Sequence, residues 1–201
     1  MTDQVKPERI RIQENAALIV VDVQEGFDHP TYGGKRNNPS ADENIKALIQ
    51  TWEESKRPIV VVQHNSQSTA SQLHPSKPGN SLKPYVKIIK PSLLITKRVN
   101  SAFYGEPDLH QWLQANGIQQ VVIVGIQTNM CCETTARMAG NLGYDVVFVP
   151  DATHTFDLEG PNGETLTAEE LSRATVINLH GGGFAKIALT RDLLDGLLVV
   201  Q

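Results

Sequence analysis

QQVVIVGIQTNMCCETTARMAGNLGYDVVFVPD, residues 119–151, decides the fold of this chain. An apolar run ends at Gly125, a short polar bend follows, and Cys131 opens a segment with helical spacing that closes at Gly143. A second apolar run then ends at Pro150. The pattern predicts a strand, a turn carrying a thiol, a helix and a second strand. In open parallel sheets, such strand-to-helix turns are where ligands bind.

The same alternation of apolar runs and helical spacing extends along the chain. Near-continuous apolar runs are typical of strands that are buried on both faces of a parallel sheet. We predict strands within residues 16–23, 58–63, 93–97, 121–124, 146–149 and 184–189, and helices that begin near Ser40, Asp108, Cys131, Thr167 and Thr190. Ser40 with Glu43 and Thr167 with Glu170 have the spacing of helix capping boxes. The fold class is therefore α/β, an open parallel sheet with helices on both faces.

Length and composition indicate one α/β domain, residues 1–201, with residues 1–15 as an N-terminal tether. The net charge is −4 and the Lys and Arg residues are scattered, so we expect no nucleic-acid partner. No apolar run is long enough to cross a bilayer, and the first residues lack the apolar core of a signal peptide. We therefore expect no membrane partner and a cytoplasmic location. The polar loops at residues 26–40 and 66–84 are predicted to have no regular structure, and loops of this length are often functional.

Four reactive side chains fall at the predicted carboxyl ends of strands: Asp22, His64, Lys97 and Cys131. These ends share one edge of a parallel sheet. A thiol near the amino end of a helix and near an ammonium tends to ionise, and a carboxylate can move its proton. Taken alone, the cysteine is more often a packing residue and the lysine a solvated charge. Their conjunction favours an acyl-transfer site, with the backbone N–H groups of residues 126–130 as oxyanion donors.

Three sequence blocks, IVVDVQEGF, ITKRVNSAFYG and GIQTNMCCETTARMAGNLGYDVVFVPDA, resemble the signatures of the isochorismatase-like cysteine hydrolase superfamily. The resemblance covers residues 16–194. It implies a three-layer αβα, Rossmann-like fold with six parallel strands. It also implies a catalytic triad in which Cys131 is the nucleophile, Asp22 the general base and acid, and Lys97 the charge that lowers the pKa of the thiol.

The resemblance further implies a non-proline cis peptide bond between Ile126 and Gln127. That bond would direct the amides of Gln127 and Cys131 at the substrate oxygen, so these two residues are the predicted oxyanion hole. Cys132 stands where relatives commonly have valine, which agrees with a packing role. Relatives commonly form dimers or larger assemblies, so we expect a homodimer or a higher homo-oligomer.

The presence of Cys131 favours hydrolysis of a C–N bond in a small amide or lactam, and streptothricin hydrolase is the branch that the third block most resembles. Two enzymatic alternatives stay open: an isochorismatase-type vinyl ether hydrolase driven by Asp22, and a nicotinamidase-like amidase. A binding or redox module that keeps the fold is the non-enzymatic alternative. Nicotinamidases carry an Asp and two His as metal ligands after the second strand, whereas here only His64 and His74 occur there. We therefore predict no metal and no cofactor.

Candidate substrate contacts follow from position near these strand ends. Aromatic side chains would supply apolar walls, and short polar side chains would orient a polar group of the substrate. The candidates are Gln24, Phe27, His64, Asn65, Ser101, Phe103 and Tyr104, with His154 and Phe156 as weaker ones. His64 could equally be a hydrogen-bonded residue at a strand end.

Overall fold

The computed structural model describes residues 10–32 and 35–198. In chain order its strands are β1 (Ala17–Val21), β2 (Ile59–His64), β3 (Leu93–Lys97), β4 (Gln120–Ile126), β5 (Asp145–His154), β6 (Leu158–Glu159), β7 (Thr165–Leu166) and β8 (Lys186–Ile187). Its α-helices are α1 (Ala41–Glu54), α2 (Pro84–Lys87), α3 (Leu109–Ala115), α4 (Glu133–Asn141), α5 (Ala168–Gly181) and α6 (Thr190–Leu198).

Six of these strands form one parallel sheet in the order β3-β2-β1-β4-β5-β8, while β6 and β7 pair as a short antiparallel ribbon. Two apolar cores cover the sheet. On one face, side chains from α1 and α6 pack against the strands, with Trp52 fully buried. On the other face, side chains from α3, α4 and α5 do so. The predicted three-layer αβα architecture is confirmed.

The register of the central strands determines where the site forms. Val21 pairs with Val62 of β2 on one side and with Gly125 of β4 on the other, and His64 pairs with Lys97 across β2 and β3. The ends of four neighbouring strands therefore lie side by side. Asp22, which follows β1 directly, lies in the middle of this edge.

Several local predictions differ from the structure. The helix predicted to start at Cys131 begins instead at Glu133, after a turn of π-helix at Thr128–Cys132. The capping box at Thr167 is confirmed, but the side chain of Ser40 makes no capping hydrogen bond. Residues 66–84 contain a short 3-10 turn at Pro78–Asn80, so the prediction of no regular structure there is wrong in part.

The loops at the carboxyl edge contain more structure than the sequence pattern indicated. Two 3-10 turns, Glu25–Asp28 and Pro30–Tyr32, interrupt residues 26–40. Residues 152–163 include the end of β5 and all of β6. Polar side chains bind these backbones, which explains why no apolar pattern marks them: Asn38 Nδ2, for example, donates to the carbonyl oxygens of Pro150 and Thr153 at 3.2 and 2.6 Å.

Most of the predicted N-terminal tether, residues 1–9, lies outside the described residues. The described end of the tether packs onto the domain, since Ile10 and Ile12 contact the core on the α1 face. None of the described helices combines the length and the apolar character that crossing a membrane requires. The expected homo-oligomer stays a prediction.

Candidate active site

Asp22 and Lys97 form a buried ion pair at the carboxyl edge of the sheet. The Nζ atom of Lys97 lies 2.5 Å from Oδ2 of Asp22, and both side chains are fully buried. Burial alone would lower the pKa of Lys97, but the negative charge of Asp22 and its hydrogen bond outweigh burial and the pKa is raised. Lys97 therefore remains an ammonium. The second carboxylate oxygen, Oδ1 of Asp22, is buried and has no hydrogen-bond partner among the described residues.

His64 is a third member of this cluster. Its Nδ1 atom lies 3.2 Å from Nζ of Lys97. Burial and the Lys97 ammonium lower the pKa of His64, so the ring is neutral near pH 7 and can accept a hydrogen bond from Lys97. The side chain of Gln24 holds the backbone of His64, accepting from its N–H at 2.8 Å and donating to its carbonyl oxygen at 3.0 Å.

Cys131 completes the group from the π-helical turn between β4 and α4. A carboxylate oxygen of Asp22, a ring nitrogen of His64 and the Sγ atom of Cys131 all lie within 4.8 Å of one another. Cys132, by contrast, is fully buried and packs in the core beneath α4. The structure thus brings together the four strand-end residues and separates the two thiols as predicted.

The protonation state of Cys131 requires a correction. Burial and the Asp22 carboxylate raise the pKa of the Cys131 thiol, and Lys97 opposes them without prevailing. Lys97 does lower this pKa, in the predicted direction, but burial and Asp22 outweigh it, so the net shift in the protein without substrate is upward. The resting site holds a thiol beside a carboxylate, so a base must remove the thiol proton when the sulfur attacks.

The peptide bond between Ile126 and Gln127 is cis, as the resemblance implied. It lies between the end of β4 and the π-helical turn, immediately before the segment that carries Cys131. The roles of the Gln127 and Cys131 amides as an oxyanion hole stay a prediction.

An open cleft of about 1020 Å³ lies against Lys97. Its walls include three predicted contact residues, Asn65, Ser101 and Tyr104, and also Asn100, which the sequence reasoning missed. Oδ1 of Asn100 lies 3.8 Å from Sγ of Cys131, so the cleft and the thiol are adjacent. Asn100 lies three residues after Lys97, within the same sequence block, and this position could have identified it as a candidate.

Aromatic side chains form a separate cluster that includes the predicted Phe27. The ring centroid of Phe27 lies 4.5 Å from that of Tyr32 and 6.4 Å from that of Phe156. Burial raises the pKa of Tyr32 to about 12, and the charges of Cys131 and Asp22 add to this effect. Tyr32 therefore lies within electrostatic reach of the site, although the sequence reasoning did not select it.

Three candidates are engaged elsewhere. Gln24 is fully buried, and its side chain hydrogen-bonds to the backbone carbonyl oxygens of His64 and Asn80. It therefore acts as a positioning residue and not as a substrate contact. Phe103 stacks on Tyr144 at 6.0 Å and does not line the cleft. His154 is fully buried beside Phe156. Each had been selected from its position in the sequence, which does not reveal where the side chain points.

Comparison with known proteins gives the family. The sequence model of the isochorismatase domain matches residues 16–179. The chain belongs to the isochorismatase family. It is 37% identical to the isochorismatase family protein YrdC of Bacillus subtilis (strain 168), over 93% of this chain and 98% of that protein. It is 30% identical to nicotinamidase 3 of Arabidopsis thaliana, over 91% of this chain and 89% of that protein.

A crystal structure of an isochorismatase-family protein from Chromobacterium violaceum superposes with a TM-score of 0.89 at 31% identity, covering 97% of this chain and 100% of the other. The family and fold predictions are confirmed, and the protein is an isochorismatase-family hydrolase. Streptothricin hydrolase of Streptomyces noursei is a more distant relative, 28% identical over 87% of this chain and 69% of that protein.

Proposed function

We propose that this hydrolase cleaves a C–N bond of a small amide or lactam through a thioester on Cys131. The observation that carries the proposal is the arrangement of Asp22: Lys97 binds one carboxylate oxygen at 2.5 Å, while the other is buried without a partner among the described residues. Such a carboxylate is an oriented base that lacks only a proton donor, and the Cys131 thiol lies within 4.8 Å of it.

The reaction follows from these positions. Asp22 takes the thiol proton while Sγ of Cys131 attacks the carbonyl carbon, and the carbonyl π electrons move onto oxygen. When the oxyanion collapses, the C–N bond breaks and Asp22 delivers the proton to the leaving nitrogen. Water then attacks the thioester, Asp22 takes a proton from it, and the thiol re-forms as the carboxylic acid leaves. In a lactam, the amine and the acid remain in one molecule.

Lys97 and His64 support this proton transfer without joining it. The ammonium of Lys97 donates to Oδ2 of Asp22 and holds the orientation of this carboxylate. His64, which is neutral, adds a second acceptor for Lys97 at 3.2 Å. One relative, nicotinamidase 3, is named as an amidase, which supports an amide-type substrate, and streptothricin hydrolase is named as a hydrolase.

Vinyl ether cleavage is less well supported by the same geometry. A general acid must carry its proton before the reaction starts. Oδ2 of Asp22 accepts from Lys97, and protonation of an ether by Asp22 would leave the nearby Cys131 thiol without a role.

A hydrolysis screen tests the proposal. Small amides, lactams and ureas are incubated with the protein, and acid or ammonia release is measured. Cys131→Ala is expected to lower turnover of the best substrate by about 10⁴-fold or more, because the nucleophile is lost. Cys132→Ala is the matched control and keeps activity within about tenfold, since a buried packing sulfur costs stability and not chemistry. Retained turnover in Cys131→Ala would overturn the proposal, because it would show that the reaction needs no sulfur nucleophile.

A further inference from the structure

The side chain of Asn65 lines the cleft directly after β2, and only one of its two polar atoms is engaged. Its Oδ1 atom accepts a hydrogen bond from Nδ2 of Asn80 at 3.0 Å, and its Nδ2 atom has no partner among the described residues. We propose that Nδ2 of Asn65 binds a second carbonyl oxygen of the substrate, distinct from the carbonyl that Cys131 attacks, and that Asn80 orients Asn65 for this contact. The inference rests on the proposed amide hydrolysis and narrows its substrate class.

The hydrogen bonds of Asn80 determine which end of the Asn65 amide is left for a ligand. Nδ2 of Asn80 also donates to the backbone carbonyl oxygens of Leu73 at 2.8 Å and of His64 at 3.1 Å. Because a carbonyl oxygen can only accept, this atom of Asn80 must be the nitrogen. Its neighbour in Asn65 must then be the oxygen, since the reverse orientation would place two NH₂ groups against each other. The end of Asn65 that remains is therefore a donor.

Asn80 is itself fixed from its other side. Nε2 of Gln63 donates to Oδ1 of Asn80 at 3.0 Å and to its backbone carbonyl oxygen at 2.8 Å. Nε2 of Gln24 donates to the same carbonyl oxygen at 2.8 Å. These bonds hold both the side chain and the backbone at the end of the 3-10 turn Pro78–Asn80. The orientation of the Asn65 amide is therefore set before a substrate binds, which lowers the entropic cost of the contact.

The charges of the cleft favour a neutral acceptor at this position. Arg98 and Glu106 both line the cleft, and Lys97 is paired with Asp22, so the lining carries balanced charge. An NH₂ group donates and cannot accept, so it selects against a substrate that presents an N–H or an ammonium to Asn65. A carbonyl oxygen fits both requirements. The substrate class is thus a small amide with a second carbonyl group, such as a diamide, a ureido compound or an imide.

Binding measurements test this inference without turnover, so the outcome is separate from that of the hydrolysis screen. The probes are amides with a methyl ketone one, two or three methylene groups away, each paired with the analogue in which an isopropyl end replaces the methyl ketone. Dissociation constants are measured by nuclear magnetic resonance titration of Cys131→Ala, which cannot form a thioester. In the best pair, the keto-amide is expected to bind about fivefold more tightly, the gain from one hydrogen bond. Equal dissociation constants within every pair, or no binding of any keto-amide, would overturn the proposal.

Variants in the same Cys131→Ala background identify the donor and its support. The ratio of the two dissociation constants in the best pair is the ketone preference, and a merely structural loss would weaken both members alike. Asn65→Asp keeps the acceptor for Asn80 but loses the donor, so the ketone preference should fall to about one. Asn80→Ala releases the Asn65 amide and should lower the preference at least about twofold.

Asn141→Asp, at the exposed end of α4, is the matched control and should keep the ketone preference. A preference that survives in Asn65→Asp would overturn the assignment of the donor. A preference that is unchanged in Asn80→Ala would overturn the positioning role of Asn80.

Discussion

At the scale of single residues, the raised pKa of the Cys131 thiol determines when the nucleophile forms. Many thiol enzymes hold a preformed thiolate beside a cation. Here burial and the charge of Asp22 raise the pKa of the Cys131 thiol by more than the ammonium of Lys97 lowers it. In the proposed mechanism the sulfur gains its nucleophilicity only as Asp22 removes the proton, which couples nucleophile formation to substrate attack.

His154 is a buried titratable residue that the proposed reaction does not use. It is fully buried, and neither ring nitrogen has a hydrogen-bond partner among the described residues. Burial, aided by Arg36, lowers its pKa to about 3 from an ordinary value of 6.5. Between pH 6.5 and about 3, the unfolded chain therefore binds a proton at His154 and the folded protein does not. This residue contributes full stability above pH 6.5 and loses it as the pH falls toward 3.

Replacing His154 is expected to flatten the dependence of stability on pH. When the pH is lowered from 7.5 to 4.5, the free energy of unfolding should fall by about 2 to 3 kcal/mol less in His154→Phe than in the native protein. The reason is that the variant gains no proton at this position on unfolding. Urea denaturation at both pH values measures this difference. An equal loss in His154→Phe and the native protein would contradict the low pKa.

At the scale of elements, the close approach of β1 and β4 places Asp22 beside the turn that carries Cys131. Gly125 makes this approach possible. Its φ is +132°, and a Cβ atom there would lie 2.0 Å from the carbonyl oxygen of Val21. Neither the backbone angle nor the contact tolerates a side chain.

Gly125→Ala is therefore expected to destabilise the protein by about 3 kcal/mol or more, as overpacking and an unfavourable backbone conformation combine. Gly181→Ala is the matched control. Gly181 ends α5, has open space around it and does not have a positive φ, so the change should be neutral or slightly stabilising. Chemical denaturation of both variants measures the difference. A Gly125→Ala protein as stable as the control would show that the strands can separate at low cost.

The elements themselves could be read from the sequence because their signals are local. Apolar runs marked the buried strands, and Thr167 with Glu170 marked the start of α5. Since strand ends share an edge, Asp22, Lys97 and Cys131 could also be brought together from the pattern, and the family resemblance supported it. The roles of these residues needed no knowledge of the loops.

What the sequence could not provide depends on residues far apart in the chain. The contact of Lys83 with Asp28 joins positions 55 residues apart, on two loops and outside the shared edge of the strands. No local sequence pattern predicts such pairs. The π-helical turn was also missed, because its residues, TNMCC, follow a helical spacing that does not distinguish it from the first turn of an α-helix.

At the scale of the whole molecule, an ionic cluster joins the two long loops to α1. Nζ of Lys83 lies 2.9 Å from Asp28 and 2.9 Å from Asp42, and Arg36 and Tyr85 also bind Asp42. Burial would raise the pKa of Asp42, but the hydrogen bond and the charge of Lys83 outweigh it and lower this pKa to about 2. This ionic cluster holds the loop that carries Phe27 and Tyr32 of the aromatic cluster.

Lys83→Met is expected to destabilise the protein by about 2 kcal/mol or more, because it leaves Asp42 partly unpaired in a mostly buried position. It should also raise KM for the substrate found in the screen more than it changes kcat, since Phe27 and Tyr32 would lose their support. Lys87→Met, at the exposed end of α2, is the control for charge and length and should change neither quantity. Equal behaviour of the two variants would argue against a role for the cluster.

The central claim is that Cys131 forms a covalent acyl intermediate. The most direct test is the intact mass of the protein, quenched in acid within milliseconds of mixing with the substrate from the screen. The account predicts a mass increase equal to the acyl portion of that substrate, located on the peptide that contains Cys131 and released by hydroxylamine. Turnover with no adduct in the native protein and continued turnover in Cys131→Ala would contradict it.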